Sequence, residues 1–518
     1  MLCEKSIGQR CRQARREHCA LANLAKGRIL IPLPNTGAMG RKRNNFYMRS
    51  IFILALLLFG LLQYHSFNYL DSRDTMLGEA VTNDSVDAIL SMVPATLHKY
   101  LTPHSRNQSS GSALLLNASA AALAGAGLNS ATTISFGIYR PPNITEIRRQ
   151  IVKYNEMQMV LNEDTFGPLQ NDSVIIVIQV HTRISYLRHL IVSLAQARDI
   201  SKSLLVFSHD YYDDDINDLV QQIDFCKVLQ IFYPYSIQTH PNEYPGVDPN
   251  DCPRNIKKEQ AIISSCNNAL YPDLYGHYRE AKFTQTKHHW WWKANRVFNE
   301  LEVTRFHTGP VLFLEEDHYV AEDFLYLLAM MQQRTQDLCP QCNILSLGTY
   351  LKTFNYYTYH SKVEAMPWIS SKHNMGFAFN RTTWMSIRRC ARHFCSYDDY
   401  NWDWSLQHVS QQCLQRKLHA MIVKGPRVFH IGECGVHHKN KNCESNQVIS
   451  KVQHVLRIAR KSHQLFPRSL VMAVPSLMKK SKLRKGNGGW GDLLVVLQPA
   501  AIPICPINLT ASIAVVFK

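Results

Sequence analysis

The stretch of this 518-residue chain best equipped for chemistry is Gly309-Pro310-Val311-Leu312-Phe313-Leu314-Glu315-Glu316-Asp317-His318. Val311 to Leu314 are continuously apolar, the pattern of a strand buried on both faces, and three carboxylates follow at once. Adjacent acids repel one another, so a cluster held at a strand end calls for a cation, and oxygen ligands suit Mg²⁺ or Mn²⁺. In open α/β sheets the ligand crevice lies beyond the carboxyl ends of the strands, where these acids would sit. The competing reading is a solvated loop after a core strand.

Three other stretches carry reactive groups. Tyr397-Asp398-Asp399-Tyr400-Asn401-Trp402-Asp403-Trp404 mixes acids with aromatics; if it runs into a helix through Leu406, Asp399 and Asp403 share a face, and one acid could serve as general base toward a hydroxyl. Capping a helix is the plainer role and suits Asp398 or Asp399 better than Asp403. Val428-Phe429-His430 ends a short apolar strand in a histidine, either a core hydrogen-bonder or a ligand. Gln285-Thr286-Lys287-His288-His289-Trp290-Trp291-Trp292 places polar groups before three indoles. Consecutive tryptophans on a helix cannot all face one core, so carbohydrate stacking competes with a helix wedged between two sheets.

The elements that must position these groups are legible. Ser173 to Val180 is a β-branched run ending in His181-Thr182-Arg183, Ser185 to Arg198 has a helical apolar pattern, and Leu204 to Phe207 is a second strand ending in Ser208-His209-Asp210. Strand, helix, strand with polar groups at both strand ends is the half-Rossmann arrangement that receives nucleotides. No Gly-x-Gly-x-x-Gly is present, so a dinucleotide is not indicated. An amphipathic helix from about Ile144 opens the folded body, and Pro234, Pro241 and Pro245 predict a loop-rich passage before the acid-bearing strand.

The net charge of +17 resembles a nucleic-acid signal until it is located: residues 1–50 hold eleven Lys and Arg against Glu4 and Glu17, hence +9 of it. The basic block precedes the apolar run Ile51 to Leu62, where positive charge sets membrane orientation, so no nucleic-acid partner is expected. The run is short against the roughly 20 residues of a spanning helix, but its aromatic flanks and the want of a small-x-small cleavage site favour an uncleaved signal anchor over a cleaved signal. Residues 68–143, rich in Ser, Asn, Ala and Gly, are expected to be a stem. Eleven of the 14 cysteines follow the anchor, which predicts disulfides in a lumenal body. So do the sequons at Asn83, Asn107, Asn117, Asn143, Asn171, Asn380 and Asn508.

With these stretches, Gly276 to Phe283, Ser346 to Tyr350 and His373 to Gly376 complete a series that closely resembles the N-acetylglucosaminyltransferase II family over about residues 144–492. The resemblance implies an α/β GT-A type glycosyltransferase fold, with a Rossmann-like nucleotide-binding half and an acceptor half, on a single-pass type II Golgi membrane anchor. It implies transfer of GlcNAc from UDP-GlcNAc to O2 of the α-1,6-arm mannose of N-glycans, with inversion. Gln179, Val180, His181, Thr182, Arg183 and Asp210 match nucleotide-sugar contacts, and Gln285, Thr286, Lys287, His288 and His289 match a further substrate-binding stretch. Asp317 and His430 match ligands of Mn²⁺, and Asp403 matches the catalytic base. Matching cysteines imply the pairs Cys252 with Cys266, Cys339 with Cys342, Cys390 with Cys413, Cys434 with Cys443 and Cys395 with Cys505, leaving Cys226 free.

The chain departs from the family at Phe354, where an arginine contacts substrate, and in the apolar tail after Asp492, which holds Cys505 in an unfamiliar setting. The expected organisation is a cytoplasmic tail (1–50), anchor (51–67), stem (68–143), catalytic domain (144–492) and divergent tail (493–518). The related transferase acting on the α-1,3 arm, and a glycan-binding Golgi protein without turnover, are the rival functions; a homo-oligomer is left open.

Overall fold

The computed structural model describes residues 89–102, 143–350, 355–432, 445–473, 483 and 485–488. The chain divides into units 1–82 and 83–518, and every described residue belongs to the second. The expected anchor and tail, Phe354, Cys434, Cys443 and Cys505 lie outside the described residues. Among the described residues no helix is long and apolar enough to cross a membrane.

Twelve strands are described: β1 (Val160–Leu161), β2 (Ile175–Val180), β3 (Leu204–His209), β4 (Lys227–Phe232), β5 (Val311–Glu315), β6 (His318–Val320), β7 (Ile344–Ser346), β8 (Lys362–Pro367), β9 (Phe377–Phe379), β10 (His419–Val423), β11 (Val428–His430) and β12 (Val471–Met472). Ten form one mixed sheet in the order β1-β4-β3-β2-β5-β9-β7-β10-β8-β12. Its half from β4 to β5 is wholly parallel, so β2, β3, β4 and β5 all deliver their carboxyl ends to one edge. Antiparallel β9 joins this half to the rest. Strands β6 and β11 form a separate antiparallel ribbon that sets His430 opposite His318.

The period-2 alternation of the strands divides the core. Ile176, Ile178, Leu312 and Leu314 face one side, with helices α2 (Ile184–Ala195) and α4 (Phe324–Leu338). Ile175, Val177, Val311 and Phe313 face the other, with α3 (Ala281–Asn295). The helix is packed between one sheet and other helices, not wedged between two sheets: Trp290 and Trp291 are buried in this second core, Trp290 against Phe313 of β5 on one side and stacked 4.6 Å from Trp402 on the other, while Trp292 is half-buried beside Tyr233. At the entry to the body, Asn143 accepts a hydrogen bond from Glu146 N and caps helix α1 (Ile144–Met157), as the apolar spacing from Ile144 predicts.

Part of the expected stem belongs to the body. Residues Ala95–Tyr100 form a 3₁₀ helix whose Tyr100 is fully buried and donates to Asp224 Oδ1 at 2.7 Å, while Arg188 Nη1 donates to the Tyr100 and Thr102 carbonyls at 2.9 and 3.0 Å. Composition hides this docking, because its partners lie about a hundred residues downstream. Three implied disulfides are present, Cys252–Cys266, Cys339–Cys342 and Cys390–Cys413, and Cys226 is a free buried thiol. Cys395 is also disulfide-bonded, to a partner outside the described residues.

Candidate active site

The parallel register sets Gln179 between Ser208 of β3 and Glu315 of β5, so the polar residues after these strands meet in one place. His181 Nδ1 lies 2.5 Å from Asp210 Oδ1, and His289, reaching in from α3, lies 3.5 Å from Asp210 Oδ2 and 2.7 Å from Ser208 Oγ through its other nitrogen. Burial opposes the charge of Asp210, but the two histidines outweigh it and hold the carboxyl well below the usual range. His181, half exposed at the rim, is correspondingly held above the ordinary histidine value by Asp210 against the effect of its own burial.

The three acids after β5 divide their roles. Glu316 is committed to the protein: its carboxylate accepts from His181 N at 2.8 Å and from Arg183 Nε at 2.7 Å. Arg183 Nη1 also pairs with Asp317 Oδ2 at 2.8 Å, so one guanidinium ties the end of β2 to the end of β5. Glu315, Asp317 and His318 offer donor atoms within 4.8 Å of one another, and His430 Nε2 comes within 3.2 Å of Asp317 Oδ2. Asp317 Oδ1 is buried without a hydrogen-bond partner among the described residues, which suits an acceptor that ligates a cation. His318 is the weaker ligand candidate, because its Nδ1 accepts from Glu315 N and the proton must then sit on Nε2. A side chain at Gly432 would bring its Cβ within 2.4 Å of Asp317 Oδ2, so glycine there lets the strand after His430 close over the carboxylate. Asp317, His430 and Glu315 thus fit a small divalent cation.

Asp403 lies in the first turn of α5 (Trp402–Gln412), near enough to the acid cluster for the charge of Glu315 to act on it. Its Oδ1 accepts from Trp404 N at 2.9 Å, and its Oδ2 from Asn374 Nδ2 at 3.1 Å. Burial, with the charges of Glu315 and Asp398 adding to it, pushes the Asp403 carboxyl up to about 7. Tyr350, 51% exposed, has its ring 6.3 Å from that of His430, and its hydroxyl is pushed well above the usual range by burial and by the charges of Glu315, Asp403 and Asp317.

Asp399 does not share a helix face with Asp403. The helix starts at Trp402, and Asp399 in the preceding turn is buried against Arg279 Nε at 2.8 Å, Thr284 Oγ1 at 2.8 Å and His288 Nε2 at 3.4 Å. The expected capping role falls to neither Asp398 nor Asp399, because Asn401 is the N-cap and no side chain caps the helix; Asp398 instead ties the preceding turn, its Oδ1 accepting from Tyr400 N and Asn401 N and its Oδ2 from Asn487 N. Asn487 Oδ1 in turn accepts from Asp399 N. Gly486 lies so close to the Tyr397 carbonyl that a Cβ there would stand 2.1 Å from its oxygen. The Gly-Asn-Gly segment 486–488 therefore clamps the turn that aims Asp403.

The residues Gln285 to His289 separate by side-chain role. His289 reaches Asp210, and Gln285 Oε1 accepts from Ile237 N at 2.6 Å, fixing the loop after β4. Thr286 Oγ1 bonds back to the Lys282 carbonyl. Lys287 is buried and donates to the Cys395 and Asp398 carbonyls, and His288 is engaged with Asp399, so both side chains support the base-bearing turn. Val180 is buried in the sheet, and Thr182 is exposed at the rim. Sequence reasoning assigned no role to Lys293 or Asn374, and read Glu315 only as one of the three clustered carboxylates. Lys293 sits buried one turn beyond His289 with its Nζ 2.5 Å from Gln179 Oε1, and a lysine so soon after three tryptophans was its only signal.

A family profile described as N-acetylglucosaminyltransferase II matches residues 148–494. The α-1,6-mannosyl-glycoprotein 2-β-N-acetylglucosaminyltransferase of Rattus norvegicus is 44% identical over 352 residues, 68% of this chain and 79% of the relative. That of Homo sapiens is 42% identical over 352 residues, 68% and 78% of the two chains. That of Arabidopsis thaliana is 34% identical over 296 residues, 56% and 66%. Among solved structures, Staphylococcus aureus TarS in complex with UDP-GlcNAc aligns with a TM-score of 0.28 at 10% identity, over 56% of this chain and 69% of that one. With the profile matched from helix α1 to the segment that clamps the Asp403 turn, and the rat and human relatives covered over most of their length, the chain belongs to the N-acetylglucosaminyltransferase II family.

Proposed function

We propose that this member of the family moves GlcNAc from UDP-GlcNAc to O2 of the α-1,6-arm mannose of N-glycans, with inversion, on a GT-A fold carried in the Golgi lumen by the basic, apolar N-terminal anchor. The observation that carries the reading is Asp403: a carboxylate held by Asn374 and Trp404 N within reach of the Glu315 charge, and raised to about 7. A base so placed takes the proton of the mannose O2 hydroxyl as that oxygen attacks the anomeric carbon. The bond from C1 to the diphosphate oxygen breaks on the opposite side, its electron pair leaving with UDP, and one in-line displacement turns the α-linked donor into a β-linked product. Asp317, His430 and Glu315 would hold a divalent cation, for which Mn²⁺ is the family expectation, and when bound it supplies charge neutralisation to the leaving diphosphate. Gln179, His181 and Asp210 form the wall against which the nucleotide is oriented, with Arg183 bracing the two strand ends that carry it.

The test is direct: purified lumenal protein is given UDP-GlcNAc, Mn²⁺ and, separately, acceptors with only the α-1,6 or only the α-1,3 arm open. Product on the α-1,6 arm alone is expected. Product on the α-1,3 arm, or hydrolysis without transfer, overturns the assignment.

A further inference from the structure

Lys293 lies in the last turn of α3, only 1% exposed, and its Nζ contacts the carboxamide oxygen of Gln179 at 2.5 Å. In this contact Nζ donates to Oε1, so the amide oxygen faces Lys293 and the NH₂ group faces away. Gln179 is 9% exposed and sits at the centre of the nucleotide wall, its backbone carbonyl accepting from Glu316 N at 2.9 Å. Its Nε2 nevertheless meets no acceptor among the described residues and is not sealed from solvent. An amide held by one end in a buried wall, with an unused donor at the other, is a presented hydrogen-bond donor.

We infer that Lys293 is a positioning residue that locks the Gln179 amide so that its NH₂ group is offered to an acceptor oxygen of the bound nucleoside diphosphate. The inference rests on the nucleotide-sugar reading of this wall and adds the group that orients it. Without Lys293 the amide is free to turn its oxygen toward the ligand, setting acceptor against acceptor. Lys293 then acts on the donor side of the site and not on acceptor affinity; its charge also acts on Glu315 and Asp210, so saturating Mn²⁺ is used to separate the Gln179 route from any effect on the cation.

The experiment measures UDP affinity by calorimetry at saturating Mn²⁺, and donor and acceptor KM, for the wild type, K293M, Q179A and the double variant. Loss of one neutral hydrogen bond weakens binding by about tenfold. K293M and Q179A are each expected to weaken UDP and raise the KM for UDP-GlcNAc by about that factor with acceptor KM unchanged, and the double variant to be no weaker than either single one. Additive losses in the double variant, or a K293M protein that binds UDP as the wild type does, overturn the inference. Q179E keeps a partner for the Lys293 ammonium but presents oxygen where the NH₂ stood, so it is expected to keep its Tm and lose UDP affinity; wild-type affinity in Q179E refutes the assignment even where K293M does not fold. A wild-type protein that binds no UDP overturns the nucleotide reading itself, a result distinct from wild-type binding that K293M leaves untouched.

Discussion

The Asp403 carboxyl gives the most demanding test, because its raised pKa makes one prediction for rate and another for stability. An ordinary aspartate titrates near 3.8, whereas burial and the charges of Glu315 and Asp398 push Asp403 up to about 7. In the free enzyme the base is then half protonated near neutrality, so kcat/KM for the acceptor should rise with unit slope up to about pH 7, reaching roughly a tenth of its plateau at pH 6. D403N should lower kcat by roughly 10²- to 10⁴-fold and abolish that limb. The stability effect has the opposite sign. A carboxyl whose folded pKa lies above its unfolded value binds its proton more tightly when folded, so its contribution is fully present below pH 4 and is lost as pH rises from about 4 to about 7. Above pH 7 the native state carries a burden of about 4 kcal/mol, from roughly three pKa units at 1.36 kcal/mol each. D403N should therefore raise Tm at pH 8 and raise it less at pH 5. The gain falls short of the full figure, because Asn374 Nδ2 donates to Asp403 Oδ2 and must turn to meet an amide. A pH–rate profile already flat at pH 5.5, or a Tm gain that does not grow with pH, refutes the reasoning.

Asp317 and Asp403 should part in binding: D317N should lose Mn²⁺-dependent UDP affinity, while D403N keeps it and loses transfer, and calorimetry showing equal losses would refute the division. Tyr100→Ala removes a fully buried ring and its bond to Asp224, and should cost about 3 kcal/mol or more in denaturant melts while leaving both KM values within twofold; an unchanged midpoint would mean that residues 89–102 do not belong to the body. Non-reducing peptide mapping should join Cys395 to Cys505, the pairing expected from the family; alkylation of Cys505 as a free thiol would overturn that pairing. Deleting residues 1–38 should leave membrane insertion and activity intact, since Arg41, Lys42 and Arg43 remain before the apolar run, and mislocalisation of the shortened chain would count against it.

What the sequence displayed was whatever a short window contains. The acid-bearing strand and the strands carrying Gln179 and leading to Asp210 are runs of four or five apolar residues closed by polar ones, and each stands where that pattern predicts, as does His430 at the end of the shorter Val428-Phe429 strand. Strand β4 escaped the reading because Lys227 and Gln230 interrupt its apolar pattern, although both are buried. Lys293 and Asn374 escaped because their importance lies in partners more than a hundred and nearly thirty residues away in the chain. The pairing of Asp399 with Asp403 failed for a local reason: Asp398 ties the turn, and the helix begins one residue after Asn401, too late to include Asp399.

The acids of the site are chemically alike and differ in what has already been neutralised. Asp399 has Arg279 and Thr284, Asp210 has two histidines, and Glu316 has Arg183 and a backbone N–H; the first two are held well below the usual carboxylate range, and all three are occupied. Asp403 receives only a backbone N–H and a neutral amide, and no cation is within salt-bridge distance among the described residues. With burial unopposed by a positive charge, its affinity for a proton must rise, and a carboxylate that wants a proton is what a sugar hydroxyl needs in order to attack. Asp317 is intermediate: Arg183 and His430 share its Oδ2, while Oδ1 has no hydrogen-bond partner among the described residues. The same physics that makes Asp403 a base therefore makes Asp317 a cation ligand, and adding a lysine or arginine beside Asp403 should convert the first into the second kind of acid, restoring an ordinary carboxylate pKa and removing its use in catalysis.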